Sequence, residues 1–245
     1  MKLPITLTLE VSVYHESLNG LKILHLSDLH IDKRFKLSSI KELLSICKNL
    51  DYDFIVITGD IIDCKVKHIK NKLELFNDLA LEKPVYYISG NHDIFYGLKD
   101  LKKELSNFIL LDNKMNTINF KGKEINIVGI SDRFAKFFNI KRDEKKVSSF
   151  LNSNKPTIFL AHQPKDYKLA VLNKTELFVC GHTHGGQIFP FHLLVRLVQP
   201  FLNGLFYKEQ TAIYVSSGLG TWGIDFRYKA NSEITILKLI SKTVK

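Results

Sequence analysis

The chain has 245 residues, of which 45% are hydrophobic and 24% are charged, and its formal net charge is +10. This composition excludes a globally disordered chain and is sufficient for one substantial core. The excess of Lys and Arg favours anionic partners such as phosphate esters, nucleic acid or an acidic membrane surface. An evenly basic surface with many solvated lysines explains the same charge equally well.

Three cysteines, Cys47, Cys64 and Cys180, lie far apart and lack the CxxC spacing of thiolate metal sites. The sequence therefore predicts neither a disulfide framework nor a thiolate centre, which fits a reducing cytoplasm. Residues 1–11 alternate apolar with polar side chains, which predicts a strand and not a signal peptide. No uncharged apolar run reaches about 18 residues, so we expect no transmembrane helix. The expected location is cytoplasmic, with peripheral contact at the inner membrane face left open.

The first half of the chain alternates predicted strands and helices. Strands are predicted at 22–27, 54–57 and 85–88, with helices at 38–50 and at about 68–82 between them. Ser39 and Glu42 have the spacing of a capping box for the first helix. This alternation predicts βαβ units with parallel strands.

The second half of the chain contains mainly short predicted strands. Short strands at 108–111, 117–120 and 125–130 predict an antiparallel meander, and a helix is predicted at about 141–152. Further strands are predicted at 157–160, 177–179, 212–216 and 233–239. Because no repeat or linker separates these segments, we expect a single domain over 1–245.

Five polar blocks follow the predicted strands. They are Ser27-Asp28-Leu29-His30, Gly59-Asp60, Gly90-Asn91-His92-Asp93, Ala161-His162 and Gly181-His182-Thr183-His184-Gly185-Gly186-Gln187. The ends of the strands in a parallel sheet present functional loops, so these blocks could converge. Asp, Asn and His are ligands for hard or borderline divalent metals, and seven such ligands suffice for two ions that share one carboxylate.

Each block alone has an ordinary structural explanation. Asp60 could cap a helix, Asn91 could serve as a turn residue, and His162 could hydrogen-bond within the core. If the backbone stays extended, Asp28 and His30 point the same way, because strand side chains alternate with period two. The same logic applies to His182 and His184, whose flanking glycines let the backbone approach a ligand closely.

The order of the five blocks resembles the calcineurin-like metallophosphoesterases over nearly the whole chain. The extension Gly185-Gly186-Gln187 and the later segment 217–223 are similar to a bacterial branch of phosphodiesterases. Members of that branch often have a proline shortly before an arginine, whereas this chain has Ile224-Asp225 before Phe226-Arg227.

The resemblance implies an α/β fold, a four-layer α/β/β/α sandwich with two facing mixed sheets. It also implies two divalent metal ions, one held by Asp28, His30, Asp60 and His184 and the other by Asp60, Asn91, His162 and His182. His92 would act near the leaving group, with Asp93 orienting it. Oxygen and nitrogen ligands suit Mn²⁺, which we favour, and also Zn²⁺, Fe²⁺ or Co²⁺.

Residues 188–207 form an apolar segment that we interpret as a cap-like insertion. Leu193, Leu194, Leu197 and Val198 recur at helical spacing, which fits either a helix packed on the core or an exposed apolar lip for an acyl chain or membrane. A second basic and aromatic flap is predicted around Lys136, Phe137, Phe138, Lys141 and Arg142.

The function implied is metal-dependent hydrolysis of phosphodiester or pyrophosphate bonds. The expected substrate is a lipid- or nucleotide-linked phosphoester, such as UDP-diacylglucosamine. A general or cyclic-nucleotide phosphodiesterase is an alternative. A nuclease is less favoured, because no compact basic cluster with interleaved aromatics lies near the site blocks. A non-catalytic scaffold of the same fold is disfavoured, because no ligand position is missing.

Overall fold

The computed structural model describes residues 4–242, so the first three residues of the predicted N-terminal strand lie outside the described residues. The first sheet contains β1 (Ile5–Val13), β2 (Lys22–Leu26), β3 (Phe54–Ile57), β4 (Val85–Tyr87), β5 (Ile109–Leu110) and β12 (Glu233–Ser241), in the order β1-β12-β2-β3-β4-β5. Strands β2 to β5 are mutually parallel, and β12 runs antiparallel to β2.

The second sheet contains β6 (Lys114–Phe120), β7 (Lys123–Gly129), β8 (Thr157–Leu160), β9 (Leu177–Cys180), β10 (Gly204–Lys208) and β11 (Thr211–Val215), in the order β10-β11-β9-β8-β7-β6. Strands β7, β8, β9 and β11 are parallel, and the outer strands β6 and β10 pair antiparallel with their neighbours. Both sheets are therefore mixed.

Between residues 4 and 242, six α-helices connect and cover the strands. They are α1 (Leu37–Lys48), α2 (Lys70–Phe76), α3 (Asn91–Glu104), α4 (Glu144–Leu151), α5 (Tyr167–Leu172) and α6 (His192–Val198). The helices predicted at 38–50, 68–82 and 141–152 correspond to α1, to α2 with its flanking 3₁₀ turns, and to α4. Helices α3 and α5 were not predicted. Gly97, at a φ of 123°, kinks α3, and α5 has only six residues, so both lack a long regular apolar pattern.

Three apolar layers define the architecture. Residues such as Ile23, Val56, Ile127 and Ile158 fill the space between the two sheets. A second cluster packs α1, α2 and α3 on the outer face of the first sheet, and a third packs α4 and α5 on the outer face of the second. The inner strands β3, β8 and β9 bury every residue, which explains their continuous apolar runs. The four-layer α/β/β/α sandwich is thus confirmed.

Two local predictions were wrong. Helix α1 begins after Lys36 without a side-chain cap, so Ser39 and Glu42 form no capping box. The predicted meander is divided between the sheets: β5 pairs parallel with β4 in the first sheet, whereas β6 and β7 form a hairpin in the second. Residues 111–113 connect β5 in the first sheet to β6 in the second, so consecutive strands lie in different sheets.

Between residues 4 and 242, no helix is long and apolar enough to cross a membrane.

Candidate metal centre

The five polar blocks follow strands β2, β3, β4, β8 and β9, three from the first sheet and two from the second. These strands are parallel within each sheet, so their carboxyl ends lie at one edge. The two edges adjoin where the sheets face each other. The fold therefore brings all seven predicted ligands into one region, as their mutual distances show.

The backbone of this region is left-handed, not extended as the sequence pattern suggested. Five predicted ligands have positive φ angles between 49° and 72°: Asp28, His30, Asp60, His182 and His184. Such conformations cost roughly 1–3 kcal/mol each and persist only where the surroundings enforce them. Backbone hydrogen bonds enforce them here: Asp28 N–H donates to Gly59 O and His30 N–H to Asp60 O, both at 3.0 Å. The side chains thus converge for a different reason from the one predicted, while Leu29 is buried in the core as expected.

Close backbone approach requires glycine at two points of the site. A Cβ atom at Gly181 would lie 2.0 Å from Ser27 Oγ and 2.3 Å from Asp28 Oδ2. At Gly90 it would lie 2.1 Å from Asp60 Oδ1. Any side chain at either position would displace a predicted ligand.

The first group of ligand atoms consists of Asp28, His30, Asp60 and His184. His30 Nε2 lies 3.1 Å from His184 Nε2 and 3.7 Å from Asp60 Oδ2. His184 Nε2 lies 3.5 Å from Asp28 Oδ1. All four side chains are almost completely buried.

The second group consists of Asp60, Asn91, His162 and His182. His162 Nε2 lies 3.3 Å from Asp60 Oδ2 and 3.1 Å from both Asn91 Oδ1 and His182 Nδ1. Asp60 Oδ2 is therefore the atom common to both groups.

The chemistry of these donors fits divalent cations. Ligands bound at roughly 2.0–2.2 Å around one ion lie about 3–3.5 Å from each other, close to the observed spacings. His162 Nδ1 lies 2.7 Å from Thr58 O and must donate to that carbonyl, which leaves the Nε2 lone pair facing the acceptors Asp60 Oδ2 and Asn91 Oδ1. Burial lowers the pKa of His162, but the nearby carboxylates, chiefly Asp60, outweigh it and raise that pKa well above the ordinary value. The carboxylates around His162 therefore favour positive charge at that position, as a bound cation would supply.

His92 lies at the rim of these groups and is held from two sides. Its backbone N–H donates to Asp60 Oδ1 at 2.8 Å, and its Nδ1 donates to Asp63 Oδ1 at 2.6 Å. Burial lowers the pKa of His92, but the hydrogen bond to Asp63 and the charge of Asp60 outweigh this and raise it above the ordinary value.

Asp93 was predicted to orient His92, but its side chain contacts backbone N–H groups. Its Oδ1 accepts hydrogen bonds from the N–H groups of Ile61 and Ile62, and its Oδ2 accepts one from Gly90. Asp93 therefore joins the start of α3 to the loop that carries Asp60, while Asp63 takes the position beside the His92 ring. Asp63 follows Asp60 by three residues, and this proximity to a predicted ligand is the sequence signal for its role.

Arg227 is a second residue whose role was missed. It is partly buried and donates hydrogen bonds to the carbonyl oxygens of Ser217 at 2.8 Å, Gly220 at 3.0 Å and Asn231 at 3.1 Å. Its guanidinium also lies 3.3 Å from His184 O. Burial lowers its pKa to about 10, which leaves it charged at neutral pH. No local pattern distinguishes such an arginine from an exposed one.

A pocket of about 260 Å³ opens above the ligands. His30, Asp60, Asn91 and His92 line its floor, and Phe191, Val195 and Val198 from the predicted cap-like insertion line one wall, together with Trp222. No residue of α6 is buried, and Leu197 is 80% exposed. The alternative of a helix packed into the core does not hold, and α6 forms an exposed lip.

The second predicted flap is only partly present. A 3₁₀ helix spans Arg133–Phe138, and its Phe137 side chain is 67% exposed. Arg142 does not belong to it, because that side chain is mostly buried and donates to Asp166 at 2.8 Å.

Comparison with known proteins agrees with this geometry. The family model for the calcineurin-like phosphoesterases matches residues 21–186. An uncharacterized metallophosphoesterase of Helicobacter pylori is 37% identical over 239 residues, covering 95% of this chain and 64% of the relative. A "transmembrane protein with metallophosphoesterase domain" of Danio rerio is 32% identical, covering 91% of this chain and 54% of the relative. The chain thus spans less than two thirds of the length of either relative.

Solved structures agree on the fold. A dimetal phosphatase from Danio rerio superposes with a TM-score of 0.57 at 10% identity, covering 82% of this chain and 88% of that one. The match of the family model over most of the chain and the relative that is 37% identical lead to one conclusion: this chain belongs to the calcineurin-like phosphoesterase family.

Proposed function

We propose that the chain hydrolyses phosphodiester or pyrophosphate bonds at a centre of two divalent metal ions. The observation that carries the proposal is that Asp60 Oδ2 belongs to both ligand groups, while His92 stands at their rim. Asp28, His30, Asp60 and His184 would hold one ion, and Asp60, Asn91, His162 and His182 the other. We favour manganese, since oxygen and imidazole ligands suit it.

The bound ions would supply positive charge that polarises the phosphoryl group and makes water an effective nucleophile at neutral pH. The residues of the chain then complete the site. His92, protonated and held by Asp63, donates a proton to the leaving oxygen. The carboxylate of Asp63 keeps the ring in position and stabilises its charge. Asp93 fixes the loop of Asp60 through the backbone, so that ligand and acid keep their relative positions.

The substrate class we propose is a lipid- or nucleotide-linked phosphoester, of which UDP-diacylglucosamine is an example. The support is the exposed lip beside the pocket: Leu193, Leu194, Leu197 and Val198 on α6 are all more than half exposed. Exposed apolar side chains at this density are typical of surfaces that meet lipid. A net charge of +10 suits an anionic membrane face, and we place the protein at the cytoplasmic side of one.

Hydrolysis of bis-p-nitrophenyl phosphate and of p-nitrophenyl phosphate by metal-stripped protein, with and without added Mn²⁺, tests the proposal. We expect Mn²⁺-dependent cleavage with preference for the diester. Preference for the monoester would overturn the phosphodiesterase assignment. Failure of the protein to bind metal and to cleave either ester would favour a scaffold.

A further inference from the structure

A second recess adjoins the metal centre. It is a groove of about 690 Å³, and His30 lines both this groove and the pocket above the ligands. Both recesses therefore border the same predicted ligand, and α6 lines only the first of them. The walls of the groove come from the loop after β2 and from the segment 219–232.

Two aromatic rings stand parallel in the wall of this groove. Phe226 and Tyr228 have ring planes only 10° apart and ring centroids 6.5 Å apart. Both rings are about half exposed, at 55% and 49%. A planar base makes van der Waals contact with a ring face at about 3.5 Å. The half-exposed rings of Phe226 and Tyr228 offer faces for such stacking.

The backbone that carries the rings is fixed to the metal site. Arg227, between the two aromatic residues, donates to the carbonyls of Ser217 and Gly220 instead of facing solvent with them. Tyr228 N–H donates to Gln187 O at 2.9 Å, and Phe189 N–H donates to Tyr228 O at 3.1 Å. The backbone that carries the rings therefore keeps its position relative to the loop of His184, so binding has to order only the ring rotamers.

The charges of the groove suit an anionic ligand with an aromatic part. Arg34, Lys36 and Lys229 line it together with Asp32 and Asp225. Arg34 Nε donates to Asp32 Oδ2 at 2.7 Å, so Lys36 and Lys229 carry most of the positive charge that a ligand would meet. The Lys229 ammonium lies 4.6 Å from the centroid of the Phe189 ring and 5.7 Å from that of Tyr228. Positive charge beside exposed rings is the combination that proteins use to hold nucleotides, since rings stack on the base and cations attract the phosphates.

The geometry points to a base-stacking subsite: Phe226 and Tyr228 hold the base of a nucleotide-containing substrate whose phosphate group lies at the metal centre. This inference rests on the proposed function and makes it more specific. The base occupies the groove, and the pocket walled by α6 receives the group on the other side of the scissile bond.

Two ligands that differ only in the base test the subsite. AMP and ribose 5-phosphate share the sugar and phosphate, so their ratio of affinities isolates the contribution of the base. Their dissociation constants would be measured by calorimetry on the metal-loaded protein, for the wild type, F226L, Y228L and the double variant. F137L is the matched control, because Phe137 is also an exposed phenylalanine but does not line the groove.

We expect the wild type and F137L to bind AMP at least tenfold more tightly than ribose 5-phosphate, and the double variant to bind both equally. Unchanged ribose 5-phosphate affinity would show that the variants fold and keep the phosphate site. Equal affinity of the wild type for both ligands, or an unchanged preference in the double variant, would overturn the subsite. Because this measurement does not depend on turnover, loss of hydrolysis of bis-p-nitrophenyl phosphate would count against the proposed function alone.

Discussion

Asp63 Oδ1 accepts a hydrogen bond from His92 Nδ1 at 2.6 Å, and both residues connect to the same ligand. Asp63 lies three residues after Asp60 in one loop, and the His92 backbone N–H donates to Asp60 Oδ1. The candidate acid is therefore positioned by the loop that holds Asp60, the ligand that we propose both metal ions share. A shift of this loop would displace the acid and the ligand together.

Removal of the candidate acid should affect substrates according to their leaving groups. For His92→Asn we expect about 10²–10⁴-fold lower kcat on a diester with an alkyl leaving group, the range typical of general acid catalysis. The loss should be much smaller with p-nitrophenol, which leaves without a proton. Asp63→Asn should show the same pattern with a smaller amplitude. Steady-state kinetics would measure this, with the exposed Asp100→Asn as control. Equal losses on both substrates would contradict the assignment.

Loss of the shared carboxylate charge should reduce metal binding. Asp60→Asn keeps the size of the side chain but removes the charge that faces both His30 and His162. We expect bound metal to fall from two ions to one or none per chain, by elemental analysis after dialysis. The exposed Asp78→Asn should leave metal content unchanged. Two tightly bound ions and full activity in Asp60→Asn would refute the site.

Arg227 should contribute measurably to stability. Arg227→Met would leave several carbonyl oxygens without their charged donor, and hydrogen bonds to charged groups contribute about 1.5–3 kcal/mol each where they are buried. Because this side chain is only partly buried, we expect a loss of about 2–3 kcal/mol in the free energy of unfolding, from urea denaturation. Arg227→Lys should recover only part of the lost unfolding free energy, since one ammonium cannot reach the same set of carbonyl acceptors. The exposed Arg196→Met serves as control, and equal stability of the two variants would contradict the role of Arg227.

The exposed lip should determine binding to lipid. We expect Leu194→Asp with Leu197→Asp to abolish sedimentation with anionic vesicles, because each change places a charge on an apolar surface. Leu172→Asp is a matched control, since Leu172 is 77% exposed but lies on α5. Vesicle binding that is equal in wild type and in the double variant would refute the membrane contact. Equal loss in Leu172→Asp would show that the effect is not specific to α6.

The cysteines should differ in reactivity. Burial raises the pKa of Cys47 to about 12, and Cys180 is completely buried with its pKa raised well above the ordinary value. At pH 8 only about one Cys47 thiol in 10⁴ would be the reactive thiolate. In the native protein we therefore expect a disulfide reagent to modify Cys64 alone, which is partly exposed, and all three cysteines after unfolding. Cys64→Ser should abolish the native reaction, and fast reaction of Cys47 would show that α1 opens readily.

Much of the candidate site could be read from local sequence. Side-chain chemistry and the order of the five blocks indicate candidate metal ligands, and apolar runs such as 54–57 and 177–179 predict buried strands that end just before them. The loops at those strand ends must meet at one edge when the strands are parallel. The candidate ligands and their order could therefore be recognised from local sequence and the family resemblance, and their binding of metal stays a prediction.

Other features depend on contacts that no local pattern encodes. The left-handed backbone of Asp28 and His30 is enforced by hydrogen bonds to the loop after β3, about thirty residues away. Asp93 accepts a hydrogen bond from the backbone N–H of Gly90 at the start of α3, and Asp63 is the carboxylate that contacts the His92 ring. This difference depends on tertiary contacts. The pairing of β5 with the first sheet, and the burial of Arg227 among carbonyls, depend likewise on the packing of the two sheets. The sequence by itself determined which groups could bind metal, because that chemistry belongs to single side chains. Only the tertiary structure decided their orientation and partners, because these follow from contacts between segments that are distant in the chain.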